Sequence, residues 1–369
     1  MISWVVMAVA GADSEMLMAN TPLQVSHASG LHAVNRVLAE MHREMLRSGG
    51  IEGAAVRLSV LNLVAACVDV ESGDMASQAV GRLGAKHPAR AIIVIANPHG
   101  KEQIEADLSL QCSATDSGQV CAEQVRLHVA GEVAYHLSSV VTPLLVPDIP
   151  VYLWLIGSPP LRQAFGQDAV AISERVIIDS GEYHDPRTLQ TLSNELDRVG
   201  DAIALSDVAW ERIRMWRELI AQSFDGEVVR GFVHGITRVD LECSGDHISA
   251  QAWLIVGWLG SRLDWSRSAQ EPQVVAVSGQ TEEVADHDLI RVALRCHTDG
   301  HQALVTVERR GSALYSVIDV DGGITAERAV PIPEPDTVDL VGRLLESSGE
   351  DPVYRAALRS AAALSSAPG

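Results

Sequence analysis

Arg57-Leu-Ser-Val-Leu-Asn-Leu-Val-Ala-Ala-Cys67 decides how the first half of the chain reads. The run is short and apolar enough for a buried strand. Asp74 to Leu83 follows with a helical pattern, and Ala91-Ile-Ile-Val-Ile-Ala96 is a second, very apolar run. Strand, helix, strand in this order implies a βαβ unit with a parallel pair. Upstream, Leu31, Val34, Val37, Leu38, Met41 and Met45 recur at helical spacing, predicting an amphipathic helix from about Leu31 to Leu46 that Gly49-Gly50 stops. Downstream, Ile104, Ala106, Leu108, Leu110 and Cys112 share one face, and Val125, Leu127 and Val129 another, so a hairpin with one wetted face is expected. A helix over Glu132 to Leu145, ended by Pro147, then leads into a buried strand from Ile149 to Ile156, closed by Gly157-Ser-Pro-Pro160.

A connector at Leu161 to Asp168 separates this half from a restart of the pattern. Arg175 to Asp179 reads as a strand, Pro186 to Val199 as a helix with Asp185 at its N-cap, and Asp207 to Ser223 as one long helix. Ser249 to Leu263 is another apolar helix. Val274–Val277, Leu289–Cys296, Ala303–Arg309 and Leu314–Asp319 then read as short strands between turn signals, an antiparallel meander. Val338 to Leu345 and Pro352 to Leu364 read as two short helices before a frayed end. The expected fold is a mixed α/β (α+β) arrangement of two domains. An N-terminal mixed-sheet domain covers 31–165 after an extension at 1–30; a C-terminal domain covers 170–350 and ends in the meander; a terminal helix and tail occupy 351–369.

Composition narrows the function classes. The 369 residues carry 48 acidic and 28 basic side chains, a net charge of -20. That field repels phosphodiester backbones and anionic lipid, so neither nucleic acid nor a membrane surface is expected as a partner. Apolar Ile2 to Ala10 has no basic residue before it and is too short to span a bilayer; it reads as an added strand or a frayed tail, and the protein as cytoplasmic. Lys86 and Lys101 are the only lysines, and neither sits in a recognisable motif. Cys67, Cys112, Cys121, Cys243 and Cys296 form no CxxC pair and fit thiols packed in a reducing compartment. Cys112 and Cys121 bracket a turn, so the hairpin would bring them together, and a regulatory disulfide there is an open alternative.

Enzyme motifs are missing. The chain has no GxGxxG after a strand, no GxxxxGK[ST], no GxSxG and no HExxH. Cys296, His297 and His301 lack the spacing of a zinc site and read as strand and turn residues. No cofactor, metal or catalytic residue is therefore expected. What stands out is a set of polar residues among apolar ones. Asp148 lies between Pro147 and Ile149 at the entrance of a core strand; Arg57 and Arg90 precede apolar strands; Glu123, Gln124 and Arg126 sit on the hairpin. The long helix at Asp207 to Ser223 places Trp210, Arg214, Arg217 and Ala221 on one stripe beside an apolar face of Ala209, Ile213, Trp216 and Ile220. Arginine and tryptophan are enriched in protein–protein hot spots. An external partner face and an internal seam both fit this stripe. A competing reading makes the chain an α/β enzyme or sugar-phosphate-binding protein, with His87, Arg90 and Arg126 as phosphate ligands near Asp148.

These segments resemble the glucose-6-phosphate dehydrogenase assembly protein family, OpcA. The resemblance rests on Arg57-Leu-Ser-Val-Leu-Asn-Leu-Val64, His87-Pro-Ala-Arg90, Cys121-Ala-Glu-Gln-Val-Arg-Leu127, and Leu144-Leu-Val-Pro-Asp-Ile-Pro-Val151 with Trp154 and Gly157. Arg175-Val-Ile-Ile-Asp-Ser180 follows, then Asp207-Val-Ala-Trp-Glu-Arg212 leading into Trp216-Arg-Glu-Leu219 and Phe224-Asp225. The blocks keep their order from about Val56 to Asp225, with departures at Ala89, Leu155 and Met215. The resemblance implies a non-catalytic partner that assembles or allosterically activates glucose-6-phosphate dehydrogenase, at the head of the oxidative pentose phosphate pathway. The partner-binding candidates are Arg90, Glu123, Arg126, Asp148, Trp154, Trp210, Arg212, Arg214, Trp216 and Arg217.

Overall fold

The computed structural model describes residues 24–47, 59–84, 86–115, 118–157, 168–183, 187–267, 271–279, 288–332, 336–347 and 349–365. Ile2 to Ala10, Arg57, Asp185 and the connector before Asp168 lie outside the described residues. The chain divides into two compact units, Met1–Ile178 and Asp179–Gly369.

The first unit is built on β1 (Gln24–Ser29), β2 (Leu61–Cys67), β3 (Ala89–Asn97), β4 (Gln103–Thr115), β5 (Gly118–Ala130), β6 (Val151–Ile156) and β7 (Arg175–Ile178). Their order across the sheet is β1-β4-β5-β3-β2-β6-β7. β5, β3, β2, β6 and β7 run parallel, while β4 pairs antiparallel with β5 and with β1. Every residue of β2 is buried, as is all of β3 except Asn97. Unbroken apolar runs are what parallel strands covered on both faces require. α2 (Val70–Leu83) makes the crossover between them, and its Gly73 lies so close to β3 that a Cβ there would stand 2.4 Å from Ile95 Cδ1. α1 (Leu31–Arg47) buries Val34, Leu38 and Met41 along one face.

The continuous helix expected over Glu132 to Leu145 is instead a 3₁₀ turn at Glu132–Tyr135, a five-residue helix, α3 (Leu137–Val141), and a second 3₁₀ turn at Thr142–Leu144. His136, at φ -120 and ψ 58, interrupts the first junction, and Pro143 sits in the last turn.

The second unit holds α4 (Thr188–Val199), β8 (Ala204–Asp207), α5 (Val208–Arg212), α6 (Arg214–Gln222), β9 (Ile236–Ser244), α7 (Ala250–Arg262), β10 (Gln273–Gly279), β11 (Leu289–Thr298), β12 (His301–Arg310), β13 (Ala313–Val320), β14 (Gly323–Pro331), α8 (Thr337–Glu346) and α9 (Pro352–Ser365). The long helix expected from Asp207 is split: Ile213, at φ -85 and ψ 8, leaves the helical region and separates α5 from α6. The N-cap of α4 is Arg187 rather than Asp185, without a side-chain cap.

Six strands follow the order β10-β9-β11-β12-β13-β14. The meander is real from β11 to β14, where Asp299-Gly300 and Asp321-Gly322 have both residues at positive φ, the twist that tight hairpins need. β10 is not part of it; it pairs parallel with β9, a strand absent from the sequence expectation, and β9 pairs antiparallel with β11. Buried Val239, Leu241, Val292, Leu294, Val305, Val307, Leu314 and Ile318 alternate into the core, against α6 and α7. α9 lies along α7 at backbone distance: a Cβ on Gly257 would sit 2.2 Å from the Ala357 carbonyl oxygen.

Candidate functional site

The ten candidate residues divide between the two units, and each unit holds a buried polar knot that includes some of them. In the first, Arg90 and Glu123 are register partners on parallel β3 and β5. The Arg90 Nε donates to Glu123 Oε2 at 2.7 Å, Nη2 donates to the same oxygen, and Nη1 donates to the Leu144 carbonyl at 2.9 Å. Both side chains are buried. A buried ion pair is satisfied only as a unit, so either partner alone would be an uncompensated charge. Arg126 pairs with Asp74 of α2 at 2.5 Å, and Trp154 is buried within β6. Asp148 corrects the expectation of a buried acid. It is exposed, in a turn at φ 63, because β6 begins only at Val151.

Asn62 was not singled out by sequence reasoning, although it is the lone polar residue within Leu61-Asn62-Leu63. It is fully buried in β2; its Nδ2 donates to the Val146 carbonyl at 3.0 Å and its Oδ1 accepts from the Val146 amide at 2.8 Å. Asn62 thereby ties the segment before β6 to the centre of the sheet.

The second knot is built around Asp207, the N-cap of α5. Its Oδ1 accepts from the amides of Ser180 and Ala209, both at 3.0 Å, and its Oδ2 accepts from the Tyr354 hydroxyl at 3.0 Å. Burial, then the neighbouring Asp179, pushes the Asp207 carboxyl up to about 6. Asp179 takes a two-pronged contact from Arg212, at 2.9 and 3.3 Å. Ser180 Oγ and the Tyr183 hydroxyl are buried there with no hydrogen-bond partner among the described residues.

The expected arginine–tryptophan stripe is not one surface. The break at Ile213 removes the continuous helix that defined it. Trp210 is buried and donates through Nε1 to Asp351 at 2.9 Å; Arg217 stacks 3.4 Å over its ring and donates to its carbonyl. Such stacking is worth most where water is excluded. Trp216 is also buried. Of these tryptophans and arginines Arg214 alone is exposed, held by Glu218 at 2.9 Å and Glu211 at 3.5 Å. Of the ten candidates, therefore, Asp148 and Arg214 are exposed in this conformation.

The helix following the first parallel strand is where doubly wound folds seat a phosphate. Here Asp69 caps α2, accepting from the Ser72 amide at 2.8 Å while Ser72 Oγ accepts from the Asp69 amide at 3.4 Å, and Glu71 stands in the first turn. The Ser72 contacts hold the Asp69 carboxyl below its ordinary range, so it is ionised at neutral pH. The position of a phosphate is thus filled by the chain's own negative charge.

Cys296 is buried, His297 exposed, and His301 bonded to Asp321 at 2.6 Å; no group of three metal-ligating side chains converges among the described residues. Cys67 and Cys296 are buried thiols pushed up to about 12 by that burial. The backbones of Cys112 and Cys121 are direct partners across the β4–β5 hairpin. Among the described residues no helix is long and apolar enough to cross a membrane.

Two family descriptions match in succession: a glucose-6-phosphate dehydrogenase subunit N-terminal domain over residues 81–194 and the C-terminal domain of the same subunit over residues 203–358. This chain belongs to the OpcA family. A "Putative OxPP cycle protein OpcA" of Synechocystis sp. is 25% identical over 302 residues, 74% of this chain and 62% of the relative. The protein of that description in Nostoc punctiforme is 27% identical over 246 residues, 66% of this chain and 50% of the relative. The chain thus spans between half and two thirds of the length of these OpcA relatives. Among solved structures, it is similar to a glucose-6-phosphate 1-dehydrogenase from Mycobacterium avium, with TM-score 0.40 and 14% identity over 82% of this chain and 90% of that one. An NAD-binding oxidoreductase from Klebsiella pneumoniae gives TM-score 0.41 and 10% identity over 82% and 94%. Likeness at this level says nothing of activity.

Proposed function

We propose that this chain is a non-catalytic assembly factor and allosteric activator of glucose-6-phosphate dehydrogenase, acting by protein–protein binding in the oxidative pentose phosphate pathway. The reading rests on the ordered match to both domains of the dehydrogenase subunit family. The closed phosphate position at α2 supports the non-catalytic part. So do the engaged side chains of Arg90 and Arg126, which the sugar-phosphate alternative would need as free ligands.

The mechanism is linkage. A partner that prefers the active assembly of an enzyme shifts the population by the difference in its affinities. A tenfold change asks for about 1.4 kcal/mol of coupling. The acidic field speeds encounter with a basic patch on the dehydrogenase and fades as salt rises. Exposed Arg214 and Asp148 are the candidate contacts within reach of a partner, while the buried candidates hold the framework beneath.

Mixing the purified chain with its cognate dehydrogenase should give a larger species in sedimentation and a change in the dehydrogenase's kcat or KM, with no turnover by the chain alone. Unchanged sedimentation together with unchanged kinetics would rule the proposal out, as would turnover of substrate by the isolated chain. Arg214→Glu should weaken the mixed species and leave the melting temperature alone.

A further inference from the structure

The six-stranded sheet of the second unit has two unlike faces. α6 and α7 pack on one; the elements that cover it touch β9, β12 and β13 there. The other face carries the alternate residues of the same strands, charged and apolar side chains mixed, with Glu242 and Arg295 exposed and Val277 53% exposed. A shallow hollow on that face is lined by Arg238, Glu242, Val277 and Arg291 among others.

Register fixes where each charge stands. In one row across the strands, Arg238, Arg295, Leu304 and Asp319 are successive partners on β9, β11, β12 and β13. In a second row, Val277, Glu242, Arg291, Glu308 and Tyr315 are successive partners from β10 to β13. The β9–β11 half thus carries Arg238, Arg291 and Arg295 with Asp240 and Glu242, a net positive strip, while the β12–β14 half carries Glu308, Asp319 and Glu327 with Arg310, which lies over the Tyr315 ring, a net negative strip. With Arg310, four arginines face Asp240, Glu242, Glu308, Asp319 and Glu327 here, a near balance in a chain whose overall charge is -20 and whose copies repel elsewhere.

We propose that this face is a two-fold interface with a second copy of the chain. Place the axis parallel to the strands between β11 and β12. Rotation then lays β11 over β12 of the second copy and β9 over its β13, with strand direction preserved. Arg238, held by Asp240 of its own copy at 2.6 Å, meets Asp319 of the second copy; Arg291, 3.8 Å from its own Glu308, meets the second Glu308; Ala293 meets Thr306 beside the axis, and Tyr315 enters the hollow beside Glu242 and Val277. Neither row sets like charge against like. A face whose acidic side and basic side exchange under a two-fold rotation is what an isologous contact needs. Two twisted sheets stack in this aligned manner at about 30°. Five inter-strand spacings of ~4.8 Å and strands about 30 Å long give on the order of 700 Å² per copy, close to the ~800 Å² a standard interface takes from each partner.

The test uses the full chain alone, so it is independent of the dehydrogenase reading. Sedimentation equilibrium at micromolar concentration should show a dimer. Thr306→Arg, half-buried at the axis, should raise the dimer dissociation constant about 10–100-fold with an unchanged circular-dichroism melt. Arg238→Glu should do the same, and adding Asp319→Arg to that variant should restore the dimer, because the rotation pairs the two positions. A monomer at every concentration overturns the proposal. So does a dimer indifferent to all three changes, or a Thr306→Arg effect seen only on binding to the dehydrogenase.

Discussion

In the first unit β2 is buried at each position from Leu61 to Cys67, whichever face the side chain takes; in the second unit β12 and β13 alternate buried with half-buried residues. Parallel strands joined by crossovers have cover on both sides, so β2 and β3 at the centre of the first sheet have both faces in its core. The antiparallel meander needs only short turns, and nothing in its connections puts a helix on the second face. That difference decides which sheet has a broad surface to offer a partner. The candidate residues of the first unit, Arg90, Glu123 and Trp154, belong to the covered sheet and serve the framework.

The sharpest way to break this comparison is a charge placed at successive positions. Val64→Asp and Ala65→Asp point to opposite faces of β2 and are both buried. Each should cost more than about 4 kcal/mol, read as loss of the folded baseline in urea titrations. In β9 the same test should split: Leu241→Asp should be as damaging, while Glu242→Ala, on the open face, should stay within about 0.5 kcal/mol. Arg90→Ala comes next, at about 3–5 kcal/mol, because it leaves Glu123 buried without its partner.

A smaller effect sharpens the second unit. Asp207 has its folded pKa raised from 3.8 to about 6, so the folded chain holds its proton more tightly than the unfolded one. The stabilisation from that proton is complete below the unfolded value and fades as pH rises through about 6. Asp207→Asn should therefore flatten the stability profile: wild type minus variant should shift toward the wild type as pH falls from 6 to 4, in denaturant titrations of both proteins. Smallest of all, Arg214→Ala should change the melting temperature by less than a degree or two, since exposed ion pairs contribute about 0–1 kcal/mol.

How far the sequence could be read follows from the same contrast. β2, β3 and the β4–β5 hairpin were legible because their burial is either continuous or strictly alternating. β14 was not, because an edge strand exposed along nearly its whole length carries no apolar period. β9 did carry one, in Ile236, Val239, Leu241 and Cys243 between charged residues, and was overlooked beside the stronger helices. The breaks at His136 and Ile213 are local dihedral choices that helical spacing does not report. Of the candidate site, residue types were legible and exposure was not. Asp148 has apolar neighbours in sequence but stands in a left-handed turn, and the Trp210 partner, Asp351, is 141 residues away.

Asp207 waits for a hydroxyl that arrives 147 residues later, and Gly257 for a helix that follows every strand of its sheet. During synthesis, then, the second unit gains these contacts only after its strands have left the ribosome. Its α7 lacks the cover of α9 until residues 352–365 emerge, after the last strand of the sheet has already been made. A chain truncated before residue 352 should therefore lose the cooperative unfolding of the second unit.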